Sequence, residues 1–316
     1  MYSVYPDGEG PDTDMIMGLE SYLIEKSSSV SFSDIAGLKE AKVALKLNVI
    51  APLKMKNYFQ NIRQAPKGIL LYGPAGTGKT MLAKAIASTT NTTFISILPS
   101  TLASKWRGES EKMVKLIFEM ARFYAPSIMF IDEIDSLLSE RNNSEHEASR
   151  KVKVQFFIEI DGLTKQTSVE EEKPQIFIIG ATNRPWDLDE AISRRLSKRI
   201  YIPLPDENAR RKLFELKLKG IKLSPDIDWD YLVKKTEFYN SDDIGNLCHE
   251  ASIMPFKQQV HLIDDNNNEF DDLANKLLEE EITMEHMKLA LNNVKSSVNK
   301  KYLQQYEEYT KTHSSI

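Results

Sequence analysis

Strand-like and helix-like patterns alternate as far as Pro205, and only helical patterns follow it. That order predicts an α/β domain, a parallel sheet with flanking helices built around a phosphate-binding loop, followed by a small all-helical lid domain. Two local features support the prediction. An apolar run, Ile69 to Tyr72, has the length and composition of a buried strand and leads through a glycine-punctuated loop into a helical pattern from Met81 to Ala87. Other apolar runs end in polar side chains, Asp132 and Glu133 in one case and Asn183 in another. The carboxyl ends of strands are where open α/β sheets bind ligands.

The elements justify themselves in order. Met1 to Thr13 is polar and expected to be mobile. Met15, Leu19, Tyr22 and Leu23 give a short helical pattern, and Ser27 to Ser29 reads as a linker. Ser33 to Gly37 leads into a helix from Lys39 to about Ala51, which Pro52 is expected to stop. Gly73, Gly78, Lys79 and Thr80 then match the spacing G-x-x-x-x-G-K-[ST]. Glycines let successive backbone N–H groups face inward as an anion nest, and the following helix points its positive end at the same place. Lys79 can reach β- and γ-phosphates, and the Thr80 hydroxyl can ligate Mg²⁺. The alternative is a glycine-rich turn that binds nothing, and the strand before it and helix after it argue against that.

Thr92 to Leu98 reads as a second strand, and Ser110 as the N-cap of a helix carrying Met113, Leu116, Ile117 and Met120 on one face. Between them Trp106 lies among Lys105, Arg107 and Gly108. The residues alone leave it equally a loop tip or a buried anchor. Ser127 to Glu133 is a buried strand running into two acids. Asp132 would hold Mg²⁺ through water, and Glu133 would polarise an attacking water. Arg141 to Glu147 is a charged loop containing His146, and Ala148 to Gly162 reads as a helix. Thr164 to Pro174 is a polar insert, and the strand from Gln175 to Gly180 ends at Asn183, which can help orient the water. Asp187 to Leu196 is a helix carrying Arg194 and Arg195 near its end, and Arg199 to Pro203 is a last short strand. Helical patterns follow at about 207–219, 228–236, 241–261 and 283–298. Asp264 to Glu281 reads as an acidic, Asn-rich surface loop with one short helix, and Tyr302 to Tyr309 as a final helix. The expected divisions are a linker over 1–30, the α/β domain over 31–205, the lid over 206–298 and a C-terminal helix over 299–316.

Composition narrows the function. The 316 residues are 41% hydrophobic and 28% charged, ordinary for a globular chain with room for two domains. A net charge of −5 gives no general attraction to nucleic acid, which counts against a nucleic-acid motor. Cys248 is the single cysteine, so no internal disulfide forms and a reducing compartment is expected. The first residues show no signal-peptide pattern, and no apolar run approaches the ~20 residues of a membrane span. Cytoplasm or nucleus is the expected location. No His/Cys cluster has metal-ligand spacing.

Phosphate loop, Asp-Glu strand end, Asn-ended strand, paired arginines and helical lid together resemble the AAA family of ATPases, over nearly the whole chain from about Ser31. Ser104–Lys112, Phe118–Pro126, Glu145–Arg150 and Arg194–Pro205 carry a resemblance to its meiotic clade, and within that to the catalytic subunits of katanins, which sever microtubules. Spastin looks like a relative with different residues around the helix ending at Ala125. The nearest rival is the vacuolar-sorting ATPase that disassembles membrane-remodelling filaments. That rival has a small β-rich insertion in its helical domain, and Gln258 to Ile282 here has no strand pattern.

The resemblance implies a nucleotide-dependent ring, a homo-hexamer when ATP is bound between subunits. Gly73, Pro74, Ala75, Gly76, Thr77, Gly78, Lys79 and Thr80 would bind ATP and Mg²⁺, with Ile35 and Ala36 also at the nucleotide. Asp132 would support the metal, Glu133 would activate water, and Asn183 would act as a sensor. Arg194 and Arg195 would reach a neighbour's ATP as arginine fingers. Lys105, Trp106 and Arg107 would form a first pore loop, and Arg141 to Glu147, with His146, a second. Their cations suit the acidic tails of tubulin. A location on microtubules, spindle or centrosome, and a regulatory targeting subunit, follow from the same likeness. Met15 to Ser29 looks like the linker katanins place over the ring, and the chain leaves no room for the usual N-terminal microtubule-binding bundle, as in a truncated or short form. A scaffold that binds nucleotide without turnover is the competing class, and the presence of Glu133, Asn183, Arg194 and Arg195 argues against it. Three positions depart from the family pattern. Ala75 stands where a second proline is common, and Ser193 where an arginine often precedes the finger pair. Ser241 replaces a glycine whose backbone approaches the nucleotide, with Asp242 adding an acid nearby, a departure that bears on nucleotide affinity.

Overall fold

A six-stranded sheet, in the order Ile24–Glu25, Thr93–Ile97, Ser127–Ile131, Ile176–Thr182, Gly68–Tyr72 and Lys198–Tyr201, carries the site. The computed structural model describes residues 12–25, 30–59, 61–99, 109–138, 147–165, 175–259 and 280–315. The strands are β1 (Ile24–Glu25), β2 (Gly68–Tyr72), β3 (Thr93–Ile97), β4 (Ser127–Ile131), β5 (Ile176–Thr182) and β6 (Lys198–Tyr201). Every pairing is parallel except that of β1, which runs antiparallel to β3 with Ile24 opposite Ile95. β2, β4 and β5 are buried at every position, as expected of parallel strands covered on both faces.

Alternation of side chains divides these strands between two cores. Leu70, Met129, Ile131 and Ile178 face one core, and Ile69, Leu71, Ile128, Phe130 and Ile179 the other. The first core is closed by α1 (Thr13–Leu23), α5 (Ser110–Phe123) and α7 (Glu147–Lys165), with Phe118 set edge-on to Phe156 at 5.8 Å. Burying an aromatic of this kind contributes about 2–3 kcal/mol. The second is closed by α2 (Lys39–Leu45) and α4 (Lys79–Thr90), with Phe94 stacked on Phe130 at 5.9 Å. Thr13–Glu25, read in the sequence as part of a linker, therefore packs as a helix and an edge strand: Met15, Ile16, Leu19 and Leu23 are all buried in the first core.

The chain does not stop its first long helix at Pro52. A π-turn, Lys46–Ile50, interrupts it after α2, and helix resumes as α3 (Ala51–Lys54). The wider turn makes room for a ring that would clash with the carbonyl four residues back. The lid comprises α9 (Glu207–Lys217), α10 (Trp229–Lys235), α11 (Ser241–Ser252), α12 (Met254–Gln259) and α13 (Met284–Asn293). Its own core gathers Phe214, Leu232, Ile244, Leu247 and Met287. The expected single helix over 241–261 divides after Ser252 because Pro255 has no N–H for the Ala251 carbonyl. The helix expected over 283–298 ends at Asn293. Ser110 is the first residue of α5 rather than its cap; the cap position is Glu109, whose side chain makes no capping bond. The remaining helices are α6 (Ile134–Leu138), α8 (Glu190–Arg195) and the C-terminal α14 (Lys300–His313). No helix among the described residues is long and apolar enough to cross a membrane.

Candidate active site

β2 ends at Tyr72 and the chain turns at once through Gly73. A β-carbon there would lie 2.1 Å from the Ile202 carbonyl oxygen, so no side chain fits. Gly76 and Gly78 also take positive φ, 70° and 95°, which only glycine adopts without strain. Gly78 is the N-cap of α4, so the helix begins at Lys79 with its first amides facing the loop. Lys79 is buried, and its Nζ donates to the Gly73 carbonyl at 2.9 Å and the Pro74 carbonyl at 2.8 Å. Burial pulls its ammonium down to about 8, while Asp132, Asp135 and Asp242 push the other way. A cation held only by neutral carbonyls in a dry place has a strong preference for an anion that can replace them.

Facing it, the Thr80 hydroxyl donates to Asp132 Oδ2 at 2.9 Å, joining the starts of α4 and the loop after β4. Asp132 Oδ1 accepts the Glu133 amide at 2.9 Å. Glu133 is exposed and sits in the left-handed region at φ 46°, unusual for a long side chain. Asn183 follows the last residue of β5, and its Oδ1 is buried without a hydrogen-bond partner. Just before it, Thr182 Oγ1 donates to Asp135 at 2.7 Å and accepts the Arg184 amide at 2.9 Å, which fixes the turn. β4, β5 and β2 are adjacent, so the two acids, the asparagine and the loop converge.

The lid closes the other side. Asn240 caps α11, its Nδ2 donates to the Ala75 carbonyl at 3.0 Å and to Ser297 Oγ at 3.0 Å, and the Ser241 amide donates to the Gly76 carbonyl at 2.9 Å. Between lid and sheet lies a cleft of about 930 Å³, lined by Gly76 to Met81, Asp132, Glu133, Asn183, Ser241 and Asp242, with Ile35 and Ala36 at one wall. Thr310 and Ser314 at the end of α14 also reach it. That helix is pinned by aromatic contacts: Tyr306 stacks on Tyr201 at 5.9 Å and meets Trp186 at 5.1 Å, and Tyr309 lies edge-on to Tyr72 at 5.2 Å. Burial pushes the Tyr201 phenol up to about 12 and that of Tyr306 well above its usual range, so both hydroxyls stay protonated donors. Tyr306 donates its hydroxyl hydrogen to the Asn183 carbonyl.

The paired arginines differ. Arg194 has a side chain 75% exposed and, among the described residues, bridges to Glu190 alone, one turn back at 2.7 Å. Arg195 is held within its own chain: Nε and Nη2 bind the two oxygens of Asp161 at 2.8 and 2.7 Å, Nη1 reaches the Ala191 carbonyl, and the guanidinium lies over the Phe157 ring at 4.5 Å. The start of α8 is tied to the same helix α7 by Lys153 and Asp189 at 3.0 Å. Lys105, Trp106, Arg107 and His146 lie outside the described residues, as do Ser27 to Ser29 and most of the 164–174 and 264–281 stretches.

Sequence reasoning did not find Asn240, Ser297, Asp135, Asp161 or Tyr306. Signals for two of them were present. Asn240 with Asp243 three residues on is a helix-start pattern. Tyr302, Tyr306 and Tyr309 form an aromatic stripe at helical spacing, which marks a packed face. Asp135, Asp161 and Ser297 carry no local pattern. Among the described residues no group of three or more His, Cys, Asp or Glu could hold a metal alone.

Comparison with known proteins adds the following. The sequence profile of the "ATPase family associated with various cellular activities (AAA)" matches residues 69–204, and that of the "Vps4 C terminal oligomerisation domain" matches 266–313. A third profile, of parvovirus non-structural protein NS1, matches residues 18–95. The A-like 1 form of the katanin p60 ATPase-containing subunit from Rattus norvegicus is 44% identical over 304 residues, covering 96% of this chain and 62% of its own length. The same protein of Danio rerio is 42% identical over 311 residues, covering 98% and 63%. The chain thus spans a little under two thirds of these curated relatives. Among solved structures, the FIGL-1 AAA domain in complex with ADP superposes with a TM-score of 0.83 at 34% identity, covering 98% of this chain and 99% of that one. A structure described as the structural basis for katanin self-assembly gives 0.79 at 35% identity, covering 96% and 97%.

Proposed function

The chain belongs to the AAA family of ATPases, and from that premise we propose that it hydrolyses ATP and uses the work to sever microtubules, as a ring of identical subunits. The observation that carries the reading is the convergence of Lys79, the Thr80–Asp132 pair, Glu133 and Asn183 on one cleft of about 930 Å³. The residues fit a nucleoside triphosphate with Mg²⁺. The loop is a cradle that a side chain at Gly73 would fill, and among the described residues Lys79 is a buried cation hydrogen-bonded to carbonyls and Asn183 Oδ1 a buried acceptor without a donor at the same cleft. One carboxylate and one hydroxyl are the sparse protein donor set usual for Mg²⁺, which draws its other ligands from phosphate and water.

Each residue then has a task. The loop amides and Lys79 bind and orient the phosphates, with Lys79 leaving the Gly73 and Pro74 carbonyls for phosphate oxygen. Thr80 and Asp132 would hold Mg²⁺, which when bound neutralises charge on the phosphates. Glu133 orients the attacking water and accepts its proton on the carboxylate. Asn183, fixed through its carbonyl by Tyr306, positions that water from the opposite side. Arg194 is the arginine free to reach across to a neighbour's phosphates, and Arg195 joins it if Asp161 is released. Lys105, Trp106, Arg107 and His146 are the residues we assign to the pore, where they would grip acidic tubulin tails. The self-assembly that the similar katanin structure is described by supports the ring, and the likeness to katanin subunits is the ground for proposing a tubulin partner, a cytoskeletal location and a targeting subunit.

The test combines phosphate release with imaging of dye-labelled microtubules. Breaks that need ATP, and that vanish in Trp106→Ala while basal hydrolysis persists, are expected. Hydrolysis without breaks moves the second reading ahead, disassembly of membrane-remodelling filaments. That reading rests on the match of residues 266–313 to the Vps4 oligomerisation profile. Absence of phosphate release leaves only the nucleotide-binding scaffold.

A further inference from the structure

The lid places one acid directly against the phosphate loop. The Ser241 amide bonds the Gly76 carbonyl at 2.9 Å, and Asn240 Nδ2 bonds that of Ala75 at 3.0 Å. These bonds fix the position of the next residue, Asp242. Its carboxylate overhangs the middle of the loop: a β-carbon on Gly76 would stand 2.8 Å from Asp242 Oδ2. Asp242 is exposed and lines the cleft, and no donor among the described residues holds its carboxylate. Its neighbour Asp243 is different. That side chain is buried and accepts the amides of Asn240 and Ser297, so it is spent on structure. Asp242 has no such employment.

A free negative charge at this point opposes the groups of the loop that attract an anion. The loop amides, the start of α4 and Lys79 all favour an anion, and the field of Asp242 reaches as far as Lys79. We propose that Asp242 sets the strength with which the site holds anionic nucleotide, weakening it by like-charge repulsion and so hastening release of the diphosphate product. The inference rests on reading the cleft as the nucleotide site. Repulsion between close charges across a partly wet cleft corresponds to about ten-fold in affinity, and most of such a difference appears in the dissociation rate.

The experiment titrates full-length protein with Mg²⁺ and a fluorescently labelled ADP, at low and at high salt. It compares the unmodified chain with Asp242→Asn, Asp242→Ser and Glu285→Gln, the last neutralising an exposed acid elsewhere on the lid. Both Asp242 variants are expected to bind about ten-fold tighter at low salt, with a smaller gain at high salt. Dissociation should slow in step, and Glu285→Gln should behave as the unmodified chain. Equal affinity in the Asp242 variants and the unmodified chain at both salts overturns the proposal, as does an equal gain in Glu285→Gln. The underlying reading fails in a separate way: the unmodified chain and every variant leave the probe unbound, or Lys79→Ala binds it as well as the unmodified chain.

Discussion

The hydroxyl of Tyr306 donates to the backbone carbonyl of Asn183, joining the C-terminal helix α14 to the carboxyl end of β5. Tyr306 is buried and braced by Trp186 and Tyr201, so it has little freedom to follow if the asparagine moves. Tyr306→Phe keeps the ring and removes only the bond. The expected loss of stability is about 1 kcal/mol. Turnover should fall about ten- to hundred-fold with KM little changed, since small misplacements of a positioning group are costly in the chemical step. Steady-state phosphate release beside a thermal melt separates the two effects. A lowered melting temperature with full turnover would make Tyr306 a packing residue only.

Glu133→Gln should bind nucleotide and scarcely turn it over. Lys79, Thr80 and Asp132 keep their places in this variant, because none of them bonds the Glu133 side chain. Nucleotide affinity by fluorescence and phosphate release under single-turnover conditions give the comparison. Near-normal turnover removes Glu133 from the mechanism.

The two arginines should separate on the melting curve. Arg194→Ala loses one exposed pair and should melt within about 0.5 kcal/mol of the unmodified chain. Arg195→Ala loses its paired bonds to Asp161 and its cover on the Phe157 ring, at a cost of about 1–2 kcal/mol. Both should cut turnover, by roughly 10³–10⁵-fold for a working arginine finger. Equal melts and hydrolysis independent of protein concentration would remove the cross-subunit role.

Cys248 is predicted to be inert in the folded lid. Burial pushes its thiol up to about 12, with Lys217 opposing only in part. The thiolate is the reactive form, so maleimide labelling at neutral pH should be slow until urea opens the lid. From about pH 9 upward the unfolded chain loses this proton before the folded one does, so alkali should destabilise the lid. Immediate labelling of the native protein contradicts the burial argument.

Which parts of this were legible in the sequence follows from how far apart the partners lie. The phosphate loop needs only its own glycines, and the strand ends at Glu133 and Asn183 need only a local apolar run. The bonds from Asn240 to Ala75 and from Tyr306 to Asn183 span 165 and 123 residues, and no local rule connects them. β1 is two residues long, too short for any periodicity. Pro52 is a sound helix-stop signal, overridden because a π-turn absorbs the ring. The difference between Arg194 and Arg195 is invisible in a pair of identical neighbours; it comes from Asp161 on another helix.

Glu133 holds its left-handed backbone at φ 46° within the turn from β4 into α6. Asn or Gly adopts that conformation more readily, by about 1 kcal/mol. On the role proposed for Glu133, endurance and work are opposed at a single position. Glu133→Asn and Glu133→Gly are expected to survive heating better than the parent while losing hydrolysis. Selection for thermal robustness alone would then drift toward a chain that holds nucleotide and no longer turns it over.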